Sequence, residues 1–220
     1  MRPGSVLRFA VLGRSVGTDR PRRILDVGGY DGTLLASFRA PLARAIVVDI
    51  DAAGLSLAQR GGLLPTCASG AALPFPDGAF DAVLLMDVLN ALSPSLQDDV
   101  VREAARVLCR DGRLYLSNVD PTFRLPFCDM AQLWKLWRAR PGESWVRLAQ
   151  LLDAAGLDVV SQRSFYGYLA RLTYACFFHH NLPSRGHRLK LAAWRRVAGF
   201  DARWPMGAQA RLLVAQRRTD

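Results

Sequence analysis

The stretch that decides the fold is Arg23-Ile-Leu-Asp-Val-Gly-Gly-Tyr-Asp-Gly32. Residues 23–28 are a short apolar run of the kind that forms a buried strand; glycines follow at once, and a helical pattern opens at Thr33. A strand that passes through a glycine turn into a helix is the first unit of an open α/β sheet. Such sheets bind ligands beyond the carboxyl ends of their strands, where strand order reverses. Glycine lets the backbone approach the ligand, and the helix start offers free N–H groups. The next apolar run, Ala45–Asp49, ends on a carboxylate 23 residues after Asp26. A carboxylate there can accept both hydroxyls of a ribose, so the layout predicts a nucleoside-bearing cofactor.

The turn also narrows the cofactor. A dinucleotide fingerprint needs Gly-x-Gly-x-x-Gly. Gly28-Gly29-Tyr30 fails it at the second glycine and Thr33 at the third, and no Gly-Lys-Ser/Thr of a P-loop follows. Asp26 would repel a pyrophosphate. It suits a cofactor with a cationic amino-acid end, which points to S-adenosylmethionine with its ammonium and sulfonium. The alternative for Asp26 is a carboxylate that caps the turn. For Asp49 it is a helix cap, a task that Asp51 already fills.

Outward from this turn, apolar runs and helical patterns alternate. The pattern predicts a helix over Thr33–Arg39, a strand over Ala45–Asp49, a helix from Asp51 to Arg60, and strands over Leu64–Ala68 and Phe80–Met86. Ser95 is expected to cap a helix with Leu96, Val100, Ala104 and Val107 on one face, before a strand at Arg113–Ser117. Strands alternating with helices imply a parallel sheet with right-handed crossovers. After Pro121 the pattern loosens into an amphipathic helix at 127–138, a helix capped by Ser144 and ended by Gly156, and a strand at Leu157–Val160. Apolar-basic helices at 167–179 and 188–198 and a strand at Ala210–Gln216 complete the chain. The expected organisation is one domain over 1–220: a helical lead-in (1–19), a cofactor-binding core (20–120), a helical cover (121–143 and 165–205) and a closing strand (206–220). The basic, then apolar, start is like a signal peptide, but Arg8 interrupts it and Arg14 ends it, favouring a short amphipathic helix.

Four stretches, RILDVGGYDGTLL (23–35), IVVDIDAAGLSLA (46–58), ALPFPDGAFDAVLLMDVLNAL (72–92) and REAARVLCRDGRLYLS (102–117), resemble in order and spacing the successive motifs of class I S-adenosylmethionine-dependent methyltransferases. The flavour is that of the small-molecule group that includes ubiquinone/menaquinone C-methyltransferases. The resemblance spans about residues 20–160 plus the last strand. It implies a Rossmann-like open sheet with a C-terminal antiparallel strand, helices on both faces and a helical cover over an acceptor pocket. It also implies that Asp26, Gly28 and Gly32 shape the methionine end, that Asp49 binds ribose, and that Ile50 packs on adenine; Gly29 and Tyr30, in the same turn, are further cofactor-binding candidates, with Tyr30 either a site wall or a surface ring. Ser69 and Gly70 would meet the adenine edge, and Met86 to Val88 would meet the cofactor from the fourth strand. Asp87 is the candidate catalytic carboxylate, as base or orienting group, against the alternative of a solvated loop acid; Asn118 and Asp120 are further candidates.

Three positions depart from the family pattern. Tyr30 replaces a glycine, and tyrosine tolerates positive φ poorly, so either the turn adjusts or the ring lines the site. Ser69 stands where an adenine-reading acid is common, and Asn90-Ala91 where many relatives have Glu-His. A catalytically silent relative is therefore a competing reading. A nicotinamide-dependent oxidoreductase is a weaker one, because the fingerprint fails.

Composition bears on partners. Half the residues are hydrophobic and 22% charged, which excludes a disordered chain. The net charge of +10 lies wholly in 121–220, where 16 basic residues face 6 acidic ones; residues 1–120 hold 13 of each. The basic stretch also has all 5 Trp. Phe127, Trp134, Trp137, Tyr166, Tyr168, Phe177 and Phe178 would give an apolar roof, hence an apolar small-molecule acceptor such as a quinone, a polyketide or a lipid-like compound. The stretch 188–198, with Trp194 among basic residues, could meet an anionic membrane surface. A nucleic-acid substrate is disfavoured, because no (Asp/Asn/Ser)-Pro-Pro-aromatic signature follows the fourth strand and no recognition motif appears. Cys67, Cys109, Cys128 and Cys176 lie far apart and read as buried thiols in a reducing cytoplasm, and His179, His180 and His187 as core or interfacial residues; no metal site is expected. The expected location is cytoplasmic, with peripheral attachment to the inner membrane face as an option.

Overall fold

A computed structural model describes residues 11–16, 21–36, 45–122, 124, 129–131, 143–165, 167–169, 171–172, 192–194, 196–197, 200 and 207–218. At its centre is β1 (Ile24–Val27), whose four residues are all buried. It lies parallel to β2 (Ala45–Asp49) on one side and to β4 (Phe80–Met86) on the other. With β3 (Leu64–Cys67), β5 (Leu108–Val119), β6 (Leu157–Phe165) and β7 (Ala210–Arg217) the sheet runs β3-β2-β1-β4-β5-β7-β6. β7 is antiparallel to both neighbours, as the family resemblance implies. The chain leaves β1 towards β2 and β3, then crosses back to β4 and β5. That reversal leaves a crevice at the carboxyl ends of β1 and β4, the place where such sheets bind ligands.

The period of two along a strand divides the core between the faces. Ala82 and Leu84 join a cluster with Val47, Leu55, Leu35 and Trp194; Val83 and Leu85 join another with Val100, Ala104 and Leu148. Helices supply the outer layers: α1 (residues 11–16), α2 (Thr33–Ala36), α3 (Ala52–Arg60), α4 (Pro94–Val107) and α5 (Trp145–Ala154). In α1, Val11, Leu12 and Val16 are buried and Arg14 is exposed, so the described part of the lead-in is amphipathic. Asp51 caps α3 through Ala53 N–H and Gly54 N–H, and Ser144 caps α5 through Arg147 N–H.

Several expectations need correction. α4 starts two residues early, because Pro94, with its φ preset for a first helical turn, takes the N1 position behind Ser93. The start matters less than the face: Leu96 is 42% exposed, while Gln97 is fully buried. Burial of that amide is stabilised by its Nε2, which donates to Leu89 O at 2.9 Å and to Glu143 Oε1 at 2.9 Å. β5 begins at once after α4, with Asp111-Gly112 inside the strand instead of before it, and β6 continues to Phe165 because β7 pairs along its whole length. Cys67, the last residue of β3, is exposed and Cys109, in β5, is half-buried, so neither is the buried thiol expected. Trp194 is fully buried in the core and cannot serve as a membrane wedge. Tyr168 is exposed. Phe127, Trp134, Trp137, Tyr166, Phe177, Phe178, Cys128, Cys176 and the three histidines lie outside the described residues. No helix among the described residues is long and apolar enough to cross a membrane.

Candidate functional site

The glycine turn folds back on the end of β2. Gly28 N–H donates to Val48 O at 2.7 Å, and Gly32 N–H donates to Gly29 O at 2.9 Å. Gly28 and Gly32 have φ of 72° and 68°, a region open to glycine and poor for other residues. A Cβ on Gly28 would lie 2.8 Å from Val88 Cγ2, so the turn also packs against the residue just past β4.

Beneath this turn lies Asp26, 1% exposed, with Oδ2 buried and without a hydrogen-bond partner. A Cβ on Gly29 would stand 2.6 Å from that oxygen, so the carboxyl occupies the space that a side chain at 29 would need. Burial pushes the Asp26 carboxyl up to about 8, with the nearby carboxylates of Asp49 and Asp31 adding to the shift. An unpaired buried carboxyl is costly and calls for a functional explanation.

Asp49 ends β2 with both oxygens aimed by backbone donors. Tyr30 N–H donates to Oδ2 at 2.9 Å and Asp51 N–H to Oδ1 at 2.9 Å. Each oxygen keeps a lone pair, so the carboxylate is oriented and still able to accept two hydroxyls. The helix-cap alternative is set aside, since Asp51 does that work. Ile50 follows, 78% exposed at the rim.

Tyr30 keeps the turn at φ 50° despite its Cβ. Its ring lies in a notch on α3: a Cβ on Gly54 would be 2.4 Å from Tyr30 Cδ2. The side chain is 47% exposed, beside Asp49. The turn therefore stays in the left-handed form, with the ring packed on α3 beside the Asp49 carboxylate. Gly32 faces the other way, into Leu63, Ala58 and Val47, and is a packing residue.

From β3, Ala68 N–H donates to Asp49 O at 3.1 Å, which brings the following residues to the same rim. Ser69 is exposed, its Oγ accepting from Ala71 N–H at 3.2 Å; a Cβ on Gly70 would lie 2.8 Å from Val27 Cγ1. From β4, Met86 is half-buried, and Asp87 adopts φ 58°. Ser117 Oγ, from β5, donates to Asp87 Oδ1 at 2.7 Å. Asn118 and Asp120 are engaged otherwise. Asn118 Nδ2 donates to Glu143 O at 2.9 Å, and Asp120 Oδ2 accepts from Trp145 Nε1 at 3.0 Å, so both tie the end of β5 to the start of α5.

The ends of β1 to β4 thus converge on one crevice with a buried carboxyl, a glycine cradle, an oriented carboxylate and an exposed apolar residue. These features fit a cationic nucleoside cofactor. Sequence reasoning missed Gly54 and Ser117 as supports. A glycine inside a helix was a signal for Gly54; nothing local marked Ser117. A separate cavity of about 250 Å³, lined by Pro21, Asp81, Asp111, Arg113 and Tyr115, is at the opposite end of the sheet. Among the described residues no acidic, His or Cys cluster could hold a metal ion.

The chain is similar to known proteins in sequence and in fold. Residues 25–116 match the family described as methyltransferase domain. The chain is 36% identical over 109 residues to demethylmenaquinone methyltransferase of Thermus thermophilus, covering 46% of this chain and 49% of that protein. The chain therefore spans about half the length of the curated relative it matches. A SAM-dependent methyltransferase from Archaeoglobus fulgidus superposes with TM-score 0.65 at 14% identity, over 95% of this chain and 94% of that one. Geranyl diphosphate C-methyltransferase from Streptomyces coelicolor, solved with Mg2+, geranyl diphosphate and S-adenosyl-L-homocysteine, gives 0.61 at 16% identity, over 89% and 70%. The [4+2]-cyclase SpnF gives 0.60 at 22% identity, over 90% and 75%. At these identities the superpositions establish the shared fold alone.

Proposed function

We propose that this chain, whose residues 25–116 match the methyltransferase domain family, is a class I S-adenosylmethionine-dependent methyltransferase that transfers a methyl group to an O, N or C atom of a small, largely apolar acceptor. The observation that carries the reading is the unpartnered buried oxygen of Asp26 under a glycine turn, one strand away from the oriented carboxylate of Asp49. A buried acid without a partner is matched by a cation, and the paired oxygens of Asp49 are matched by a ribose. When bound, the cofactor supplies an activated methyl group on a sulfonium. Asp26 then holds the cationic amino-acid end, Asp49 the ribose, and Gly28 and Gly29 give the cofactor room. Ile50, Ser69 and Gly70 receive adenine, and Met86 bounds the cofactor from the fourth strand. The protein's main contribution is orientation, because near-attack placement supplies ~7–11 kcal/mol while a general base supplies ~3–5 kcal/mol. The absence of a histidine at Asn90-Ala91 is compatible with that balance.

Acceptor class rests on the aromatic content of 121–220 and on the quinone-directed name of the Thermus thermophilus relative. A peripheral membrane contact through 188–198 loses its aromatic wedge, since Trp194 is buried, and would depend on basic residues alone. The competing reading, a silent relative, draws on Asn90-Ala91 and on the general fact that one fold hosts unrelated chemistries. Thermal unfolding with S-adenosylmethionine, S-adenosylhomocysteine and NADPH separates these readings. At 100 times Kd the first two should add ~2.7 kcal/mol, roughly 5–10 °C, and NADPH nothing. No shift with either sulfur nucleoside rejects the proposal; a shift without methyl transfer to any quinone, phenol or lipid acceptor favours the silent relative.

Asp87 is the proposed acceptor-side carboxylate, held by Ser117 Oγ at 2.7 Å. Asp87→Asn should lower kcat by about 10²-fold, the lower end for a lost general base, and leave S-adenosylhomocysteine affinity within about twofold. An unchanged kcat would return Asp87 to a loop acid. The Tyr30 wall gives a second test. Gly54→Ala drives the Tyr30 ring from its notch and should weaken S-adenosylhomocysteine binding about tenfold, roughly 1.4 kcal/mol. Gly54→Ala should then cost nothing further when added to Tyr30→Gly, which has no ring to displace; titration calorimetry of the two single variants and the double reads this, and additive losses would reject the pairing.

A further inference from the structure

Between β3 and β4 the chain crosses the rim of the site without regular structure over 68–79. Its backbone groups still need partners. The first part is held by the strand ends, through Ala68 N–H on Asp49 O and Gly70 against Val27 and Val100. The second part is held by two side chains of α4. Glu103 Oε2 accepts from Leu73 N–H at 2.7 Å. Arg106 Nη2 donates to Leu73 O at 3.0 Å, and Nη1 to Phe75 O at 2.8 Å and Asp77 Oδ1 at 2.8 Å. Arg106 Nε and Nη2 bind Glu103 Oε1 and Oε2 at 2.7 and 2.8 Å. All five N–H donors of the guanidinium are in use. A lysine has neither the number nor the fork geometry to replace it.

The pair is only partly exposed, at 30% for Arg106 and 20% for Glu103. Apolar anchors lie beside it: Leu73 is buried, and Phe75 meets Phe80 edge-to-face at 5.0 Å. These anchors keep the loop attached to the core whether or not the clamp is present. What the clamp adds is a fixed backbone path from Ser69 to Asp77.

We infer that Arg106 and Glu103 are positioning residues that hold the 69–77 loop in the form that reads the adenine edge of the cofactor. This inference rests on the methyltransferase reading, in which Ser69 and Gly70 meet adenine. Neither side chain needs to touch the cofactor. The clamp acts through the loop, so its loss should affect recognition of the base more than the chemical step or the core.

The experiment compares Arg106→Lys and Glu103→Gln with the parent protein, using S-adenosylhomocysteine and its 6-oxo analogue S-inosylhomocysteine. Titration calorimetry should give a parent that prefers the adenine ligand. Both variants should bind S-adenosylhomocysteine about tenfold more weakly, with the preference over the 6-oxo ligand reduced towards one. In turnover, KM for the cofactor should rise about tenfold with kcat at saturation unchanged. Glu103→Gln keeps an oxygen for Leu73 N–H and provides the readout if Arg106→Lys does not fold. Equal affinities and an unchanged base preference in a folded variant overturn the inference and leave the clamp a stability device. A parent protein that binds neither ligand overturns it too, and in that case the cofactor reading falls with it.

Discussion

Asp26→Asn should raise the melting temperature of the ligand-free protein at pH 7 by roughly 5–15 °C while removing most of its response to S-adenosylhomocysteine. Both effects follow from one buried carboxyl. In the unfolded chain an aspartate ionises near pH 3.9. In the fold, burial first and the carboxylates of Asp49 and Asp31 second push Asp26 up to about 8. A raised acid pKa stabilises the fold fully below the unfolded value, and that contribution is lost as pH rises towards 8. At pH 7 the forfeited stability is on the order of 2–4 kcal/mol, and asparagine, which does not ionise, avoids it. The stabilisation relative to the parent should therefore vanish near pH 4 and grow towards pH 8. Binding shows the opposite preference. A cation requires the carboxylate, so binding to the parent below pH 8 releases a proton, and Kd should fall about tenfold per pH unit from 6 to 8 before levelling off. The variant should bind 10–100-fold more weakly, the loss of one charge-assisted contact, with no such slope. Differential scanning fluorimetry across pH, with titration calorimetry in two buffers to count protons, reads both halves. A melting temperature equal to the parent's together with parental affinity would show that Asp26 neither strains the fold nor meets the ligand.

This tension between stability and binding was partly visible in the sequence. An acid near the end of an apolar strand, before glycines, is a local pattern, and so is the strand-ending Asp49; both lie in the strands that the apolar runs predict. The mostly parallel sheet was legible for a similar reason, since each strand carries its own apolar run and helical patterns alternate with them; the strand order itself was not read from the sequence. The misses concern partners far apart in sequence. Leu96 fits the helical period of α4, yet Gln97 is buried, because Leu89 O and Glu143 await its amide. Gly54 looks like a poor helix residue, about 1 kcal/mol worse than alanine, until the Tyr30 ring is placed against it. Arg106 reads as an ordinary solvated helix charge; its backbone partners lie more than 30 residues away, and no periodicity records them. Trp194 sits among basic residues, which suggested a surface, but the sheet face it fills belongs to other elements.

Asp49→Ala is the second large effect, and it differs in kind from the first. The carboxylate has four uses: it accepts Tyr30 N–H and Asp51 N–H, and in the proposed complex two ribose hydroxyls. Hydrogen bonds to a charged group contribute ~1.5–3 kcal/mol each, so losing the ribose pair should weaken S-adenosylhomocysteine binding by roughly 10²–10⁴-fold. The exposed N–H of Tyr30 and Asp51 can turn to water, so the fold should lose only ~1–2 kcal/mol. α3 keeps its start, because Asp51 still caps Ala53 and Gly54. The decisive comparison is with a ligand whose 2′ and 3′ hydroxyls are both removed. Parent and variant should bind that ligand with similar affinity, since the carboxylate then has no hydroxyl to accept. Titration calorimetry of the four combinations gives the coupling directly, at roughly 3–6 kcal/mol for a true ribose acceptor. If the dideoxy ligand and the parent ligand lose equally in Asp49→Ala, the side chain acts only through the Tyr30 turn, and recognition of the sugar must come from elsewhere on the rim.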